Sequence, residues 1–243
     1  MSAIYLIRHG QASFGKADYD QLSDKGCQQS ELLGQYWQTL KTPNKPGKMF
    51  SGALLRHEQT LENFLKGYQG EVSSTVLHSG FDEFNHVDML SRYDAQWKNY
   101  AKMAALVSKK SEANKVFQKE FSLALNRWVS GKYDGDYMES WSQFKKRCIT
   151  ALQDVINQEL DAKKEFSNIT PSNNICIFTS GGTISVLVQH ILGLSDQNTL
   201  SINQQLRNTS VTKLLFTKGS LSIDYLNNYG HLTQAGHDWE TFR

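Results

Sequence analysis

The chain has 243 residues, of which 39% are hydrophobic and 11% aromatic, so it can bury a substantial core as one elaborated domain. Its 26 basic and 24 acidic residues leave a net charge of +2, which gives no electrostatic reason to expect nucleic acid or a membrane surface as a partner. The three cysteines are far apart and lack metal-ligand spacing, and we find no secretory-signal pattern and no apolar run of about 18 residues. We therefore expect free thiols, no membrane span and a cytoplasmic location.

The N-terminal half alternates between strand and helix patterns. Four apolar residues at 4–7 predict a short buried strand that leads directly into Arg8, His9 and Gly10. Ser23 is a predicted N-cap, and apolar residues at helical spacing follow it over 27–40. The same alternation predicts a strand at 49–52, a helix at 53–68 and a strand at 72–77.

The second half contains a long polar stretch and then further strands and helices. Aromatic and apolar residues within 88–135 have the spacing of helix faces, which predicts a helical insertion covering one end of the sheet. The later predicted elements are a helix at 141–160 and a segment at 174–182 in which a buried strand ends in small residues. A helix at 183–192 with Gly193 as its C-cap, strands at 211–217 and 220–226, and a polar tail follow. Strands separated by helices predict a three-layer α/β/α sandwich with a mainly parallel sheet, formed by a single domain over 1–243.

Arg8 and His9 directly follow the first buried strand. A cation and an imidazole are costly to place there unless an anion is present, and loops beyond the carboxyl ends of parallel strands commonly hold ligands. A neutral histidine can attack phosphorus when one ring nitrogen donates to a fixed acceptor, for which a main-chain carbonyl would serve, and an arginine fork binds phosphoryl oxygens. These residues predict a phosphate site, although an Arg-His pair in a surface turn is the alternative.

Two further residues fit the same chemistry. Arg56, just after the second strand, could help to neutralise a phosphoryl group, or it could be solvated and paired with Glu58 or Glu62. Glu83, in the acidic loop after the third strand, could protonate a leaving alkoxide and then deprotonate water. Asp82 and His86 are neighbouring candidates for that role, and a solvated carboxylate is the alternative interpretation of the loop.

Taken together, these segments resemble the histidine phosphatase superfamily, also called the phosphoglycerate mutase-like family, over nearly the whole chain. The segments that carry the resemblance are Arg8-His9-Gly10, Leu-Ser-Asp-Lys-Gly-Cys-Gln-Gln at 22–29, the segment 51–60 and Asn208-Thr209-Ser210. The resemblance implies an α/β sandwich with a helical insertion or cap, and transient phosphorylation of His9. It also implies that Arg56 is the second phosphate-binding arginine, that Glu83 is the proton donor, and that no metal or organic cofactor is needed.

The sequence departs from the family pattern at one position. The second site histidine of the family lies in a Ser-His-Gly-Gly segment, whereas this chain has Thr179-Ser180-Gly181-Gly182. Losing one charge-assisted hydrogen bond would cost about 1.5–3 kcal/mol, or roughly ten- to a hundred-fold in rate. Amides near Gly181 at the helix N-terminus would still favour an anion. His57 and His231 are candidates to fill the gap, and a packed or surface histidine is the alternative for each.

The sequence therefore predicts a phosphatase that acts on a phosphomonoester, either a small molecule or a phosphopeptide, through a phosphohistidine on His9. In this prediction Arg8, Arg56, Ser180 and Gly181 bind the phosphoryl group, and Glu83 is the general acid and base. A protein of the same fold that binds a phosphorylated ligand with little or no turnover is the alternative, motivated by Ser180. A phosphoglycerate mutase-type phosphotransferase is a third possibility.

Overall fold

The computed structural model describes residues 2–13, 20–40, 46–72, 74–98, 111–165 and 174–242. The chain forms two compact units. One, which we call the sheet unit, comprises Met1–Ala12, Asp20–Glu83 and Arg147–Arg243. The other, which we call the helical unit, comprises Ser13–Tyr19 and Phe84–Lys146. The prediction that 88–135 is an insertion into a single domain stays a prediction.

The sheet unit is built on a six-stranded sheet with the strand order β3-β2-β4-β1-β5-β6. The strands are β1 (Ser2–Arg8), β2 (Lys48–Ser51), β3 (Ser74–Leu77), β4 (Asn174–Thr179), β5 (Val211–Thr217) and β6 (Ser220–Asn228). The first four strands in this order are parallel, while β5 and β6 run antiparallel to their neighbours. The predicted α/β fold with a mainly parallel sheet is confirmed.

Helices connect these strands. They are α1 (Asp24–Thr39), α2 (Leu55–Tyr68), α3 (His86–Tyr93), α4 (Ser111–Val129), α5 (Trp141–Glu165), α6 (Gly181–Leu192), α7 (Asp196–Gln205) and α8 (Gly230–Ala235). The Ser23 hydroxyl accepts from the Gly26 amide and caps α1, as predicted. Helix α7 was not predicted because its sequence is polar on most sides, and α8 lies within what was predicted as a polar tail. Within the described chain, no helix combines the length and apolar character needed to cross a bilayer.

Both faces of the central strands are covered, which accounts for the three layers. Ala3, Tyr5 and Ile7 on one face of β1 belong to a hydrophobic cluster with residues of α1 and α2. Ile4 and Leu6 point to the opposite face, since side chains alternate along a strand, and they are equally inaccessible to solvent. Strands buried on both faces are typical of parallel sheets between helical layers.

The helical unit has an aromatic core of its own. Trp128 lies at the centre of this core, with its ring centroid 4.8 Å from that of Phe84, 5.1 Å from that of Trp141 and 5.7 Å from that of Phe144. Helices α3 and α4 pack against each other within this unit. The helices predicted between 88 and 135 are therefore present where that stretch is described, and residues 99–110 lie outside the described residues.

Candidate active site

The sheet topology brings the predicted site residues to one edge of the sheet. Strands β2, β4 and β1 are parallel neighbours, so their carboxyl ends lie side by side. His9 follows β1, Gly52 follows β2 and Ser180 follows β4. Strand β5 is antiparallel to β1, so the segment that precedes β5 reaches the same edge. This is the edge at which open α/β sheets bind their ligands.

The main chain of His9 is fixed on both sides. Its amide donates to the Thr179 oxygen over 2.9 Å, which ties the end of β1 to the end of β4. Its carbonyl oxygen accepts from Asn208 Nδ2 at 3.1 Å and from the Thr209 amide at 3.3 Å. The segment Asn208-Thr209-Ser210, which was singled out by its resemblance to a family motif, thus holds the backbone at His9.

The imidazole of His9 is held in one tautomer. Its Nδ1 lies 2.7 Å from the carbonyl oxygen of Gly10. A carbonyl can only accept, so Nδ1 carries the proton and Nε2 is the free basic nitrogen of the neutral ring. Burial lowers the pKa of His9 well below its usual range, and the positive charges of Arg56 and Arg8 lower it further. The ring is therefore neutral at pH 7, which is the form that can attack phosphorus.

Arg56 is buried and tied to a carboxylate that sequence reasoning missed. Its Nη1 donates to Asp20 Oδ1 over 2.5 Å, and Asp20 Oδ2 also accepts from the Leu55 amide at 2.9 Å. The alternative of a solvated arginine paired with Glu58 or Glu62 is wrong, because only 6% of Arg56 is exposed and its carboxylate partner is Asp20. No motif signal marked Asp20 in the sequence.

Arg8 is half-buried beside the N-terminus of α6. Its Nη1 donates to the main-chain oxygen of Leu206. A Cβ on Gly181 would lie 3.4 Å from Arg8 Nε, so the guanidinium passes close to the first residue of α6. Two arginines and the amides of a helix N-terminus therefore contribute positive potential to this edge of the sheet, which suits an anion.

The loop that carries Glu83 is anchored to β4 and α6. Glu83 Oε2 accepts from the Gly182 amide at 3.0 Å. The hydroxyls of Thr179 and Thr183 donate to the main-chain oxygens of Phe81 and Asp82, over 2.6 and 3.1 Å. The carboxyl group of Glu83 is thereby placed at the start of α6, directly after Ser180.

The two neighbouring candidates are placed differently. Asp82 Oδ1 accepts from the Ala53 amide over 2.6 Å and lies 4.0 Å from His57 Nδ1. Burial raises the pKa of the Asp82 carboxyl group. His86 is the first residue of α3 and belongs to the helical unit. Of the three candidates, Glu83 alone is held by an amide of α6 in the contacts that the structure describes.

Ser180 and His57 form a buried pair within the site. Ser180 is the N-cap residue of α6, but its hydroxyl makes no capping bond. Its Oγ lies 2.6 Å from His57 Nε2, and both side chains are fully buried. The ring centroids of His57 and His9 are 5.8 Å apart. Burial, together with the charge of Arg56, lowers the pKa of His57 well below its usual range.

His231, the other candidate for the missing histidine, is linked to His9 through Thr209. Its Nε2 is 2.9 Å from Thr209 Oγ1, and Thr209 in turn donates its amide to the His9 oxygen. Thr209 has a φ of +54°, which is costly for a β-branched residue. Burial lowers the pKa of His231 to about 3. His231 therefore braces a strained residue that supports His9.

The remaining motif residues hold the loop after His9. The amides of Gly10, Gln11 and Leu22 donate to Thr60 Oγ1, Gln29 Oε1 and Gln59 Oε1, over 3.1, 2.9 and 2.8 Å. Gly26 packs so tightly that a Cβ there would lie 2.1 Å from the Gln11 oxygen. Sequence reasoning gave Gln59 and Thr60 no role, although both lie in the segment 51–60 that it singled out. Among the described residues, no group of three or more His, Cys, Asp or Glu could hold a metal ion.

Comparisons with known proteins agree with this architecture. The model of the histidine phosphatase superfamily (branch 1) matches residues 4–229. A search of curated proteins found no match. A similar solved structure is a mycobacterial glucosyl-3-phosphoglycerate phosphatase, with a TM-score of 0.61 and 17% identity over 93% of this chain and 99% of that one. A phosphoglycerate mutase from Bacillus anthracis has a TM-score of 0.60 and 16% identity over 96% of both chains. A phosphoserine phosphatase from Entamoeba histolytica in complex with 3-phosphoglyceric acid has a TM-score of 0.55 and 20% identity over 96% of this chain and 100% of that one. At these identities the likeness shows the fold.

Proposed function

Because the chain belongs to branch 1 of the histidine phosphatase superfamily, we propose that it is a phosphatase that hydrolyses phosphomonoesters through a phosphohistidine on His9. The observation that carries the proposal is the hydrogen bond from His9 Nδ1 to the Gly10 oxygen, 2.7 Å long. It leaves Nε2 as the free nitrogen of a buried ring that is kept neutral by burial and by the charges of Arg56 and Arg8, which lower its pKa. Such a ring is an activated nucleophile next to an anion site.

The first half of the reaction forms the phosphoenzyme. Arg8, Arg56 and the Gly181 amide bind the phosphoryl oxygens, and Ser180 completes the pocket. His9 Nε2 attacks phosphorus, a P–N bond forms, and the bond from phosphorus to the leaving oxygen breaks. Glu83 gives its proton to that oxygen, so the alcohol leaves neutral and Glu83 becomes a carboxylate.

The second half restores the enzyme. Water attacks the phosphorus of the phosphohistidine, and Glu83 takes up the proton that the water loses. The P–N bond breaks, inorganic phosphate leaves, and His9 returns to its neutral form with Nδ1 still donating to Gly10. The hydrogen bond that Glu83 accepts from the Gly182 amide supports both of its roles, since it holds the carboxyl group at the start of α6, beside the proposed phosphoryl site.

The substrates named for the solved relatives support a small phosphate-containing molecule as the substrate class. Glucosyl-3-phosphoglycerate and phosphoserine are phosphomonoesters of small metabolites, while a phosphopeptide remains an alternative substrate. One of the similar structures is a mutase, so transfer of the phosphoryl group from the phosphoenzyme to a second hydroxyl, in place of water, is the rival reaction. The free thiols of Cys27, Cys148 and Cys176 support the proposal of a reducing compartment such as the cytoplasm.

A second candidate function is phosphate-ligand binding with little or no turnover. The neutral Ser180 at the position of a family histidine favours it, since this hydroxyl lacks the charge of an imidazolium. Hydrolysis of an aryl phosphate and a panel of sugar phosphates, nucleotides and phosphopeptides by the wild type and by His9→Ala separates the two functions. Loss of hydrolysis in His9→Ala supports the phosphatase. Equal rates for the two proteins contradict it, and saturable binding without hydrolysis by the wild type supports the binding protein.

A further inference from the structure

His57 is a buried imidazole in the anion site that the mechanism above does not use. Its Nε2 lies 2.6 Å from Ser180 Oγ, and its ring centroid lies 5.8 Å from that of His9. Ser180 occupies the position at which the family pattern has its second histidine. Compared with the family pattern, this chain has a serine at the start of α6 and an imidazole on α2 in contact with that serine.

The space for His57 depends on a glycine at the end of β2. A Cβ on Gly52 would lie 2.2 Å from His57 Nδ1 and 2.8 Å from Asp82 Oδ1, which no side chain could tolerate without moving the imidazole. His57 and Gly52 thus fit each other, and His57 meets Ser180 from a distant part of the sequence. A histidine packed here for bulk alone would leave this polar contact unexplained, because an apolar side chain would fill the space without a buried polar atom.

The direction of the hydrogen bond between His57 and Ser180 decides what the pair offers to an anion. If the Ser180 hydroxyl donates to Nε2, Ser180 presents only lone pairs to a phosphoryl oxygen, which they would repel. If Nε2–H donates to Ser180 Oγ, the hydroxyl keeps its own hydrogen for the phosphoryl group. Among the described residues, His57 Nδ1 has no hydrogen-bond partner. The carboxylate oxygen Asp82 Oδ1 faces Nδ1 at 4.0 Å, which is too far for a hydrogen bond, so the proton of the neutral ring is available to Nε2.

We propose that His57 is a positioning residue that replaces the missing second imidazole by donating through Nε2–H to Ser180 Oγ, so that the Ser180 hydroxyl donates to a phosphoryl oxygen bound beside His9. Chains of hydrogen bonds polarise one another, so the serine becomes a better donor than it would be alone. The effect of His57 on kcat rests on the proposed phosphatase function. Its effect on the affinity for inorganic phosphate does not depend on turnover.

The test is a set of variants at the two positions. His57→Ala and Ser180→Ala should each lower kcat roughly ten- to a hundred-fold, and the double variant should lose little more, because both changes break the same relay. Ser180→His alone should also lose activity, since His57 already fills the space. The exchange His57→Ala with Ser180→His should be at least several-fold faster than either of its single variants. Because the exchange also relieves crowding between the two side chains, the recovery in kcat is compared with the thermal stability of each variant.

Two further variants at position 57 separate the loss of the hydrogen bond from a loss of folding. His57→Gln keeps an amide donor, whereas His57→Leu fills the space without one, so the Gln variant should retain more activity at equal thermal stability. His190→Ala, which removes an exposed histidine of α6, is the matched control and should match the wild type. Wild-type kcat in His57→Ala, equal activity of the Gln and Leu variants, or additive losses in the double variant would overturn the proposal.

Binding of inorganic phosphate, measured by titration calorimetry, tests the inference independently of turnover. His57→Ala should bind phosphate about tenfold more weakly than the wild type, and His190→Ala should not differ from it. A wild type that binds phosphate without hydrolysing any substrate would end the phosphatase proposal and leave the relay standing. Unchanged phosphate affinity in a folded His57→Ala protein would contradict the relay whatever the wild type hydrolyses.

Discussion

Arg56 donates to Asp20 across 2.5 Å, so the second arginine of the candidate site is held by a carboxylate. Asp20 also accepts from the Leu55 amide, which fixes this carboxylate at the start of α2. The ion pair orients the guanidinium, but it also offsets part of the positive charge that a phosphoryl group would meet. A bound phosphate must therefore share Arg56 with Asp20.

Asp20→Asn should raise phosphate affinity. The amide oxygen of Asn can still accept from Arg56, while the competing negative charge is gone. We expect the Kd for inorganic phosphate and the KM for a phosphomonoester to fall several-fold, with a smaller effect at high salt. Asp24→Asn removes the same charge from an exposed position of α1 and is the control. Weaker phosphate binding in Asp20→Asn would mean that orientation of Arg56 outweighs the charge of the carboxylate.

Glu83→Gln should lower kcat by about a hundred- to ten-thousand-fold for alkyl phosphates, because the amide cannot give a proton to the leaving oxygen. An aryl phosphate has a better leaving group and needs less protonation, so phosphoenzyme formation from it should suffer much less. The comparison of the two substrate types in single-turnover experiments measures this difference. Glu71→Gln, an exposed loop variant, is the control. Equal losses for alkyl and aryl phosphates would remove Glu83 from the acid role.

Acid should destabilise the fold partly through His231. Burial lowers its pKa to about 3, whereas an unfolded histidine titrates near 6.5. Between these values the unfolded chain binds the proton and the folded chain does not, so the free energy of unfolding decreases as the pH falls below 6.5. Relative to His231→Gln, the wild type should lose about 1.4 kcal/mol more per pH unit in this interval.

Urea unfolding at several pH values between 7.5 and 4.5 measures that slope for both proteins. His190→Gln replaces an exposed histidine and should keep the wild-type slope. Identical slopes for the wild type and His231→Gln would show that His231 is not buried in its neutral form.

Gly52→Ala should disturb the site more than its position at the end of a strand suggests. The added methyl group would meet His57 Nδ1 at 2.2 Å, so the imidazole would have to leave Ser180. Overpacking of this kind costs about 1–3 kcal/mol, and kcat should fall together with the melting temperature. Gly135→Ala, at a glycine with no atom within 4 Å of a Cβ, is the control. Normal activity and stability in Gly52→Ala would contradict the described packing.

The parts of the site that follow strands were predictable, and the contacts between distant segments were not. Arg8, His9 and Ser180 could be placed because a buried apolar run ends directly before each segment, and parallel strands present their carboxyl ends together. The pairing of His57 with Ser180 joins residues 123 positions apart, and Asp20 reaches Arg56 from a polar loop without a pattern. Helix α7 was missed for a related reason, since few of its residues are buried and its apolar periodicity is weak.

His9 is proposed to form a covalent phosphoenzyme. Rapid mixing with a phosphomonoester labelled on its phosphoryl group, followed by a denaturing quench, measures it most directly. The wild type and His190→Ala should carry label that is stable in alkali and lost in acid, as expected of a phosphoramidate, and His9→Ala should carry none. Label that persists in His9→Ala, or label that is stable in acid as a phosphoserine would be, would contradict the account.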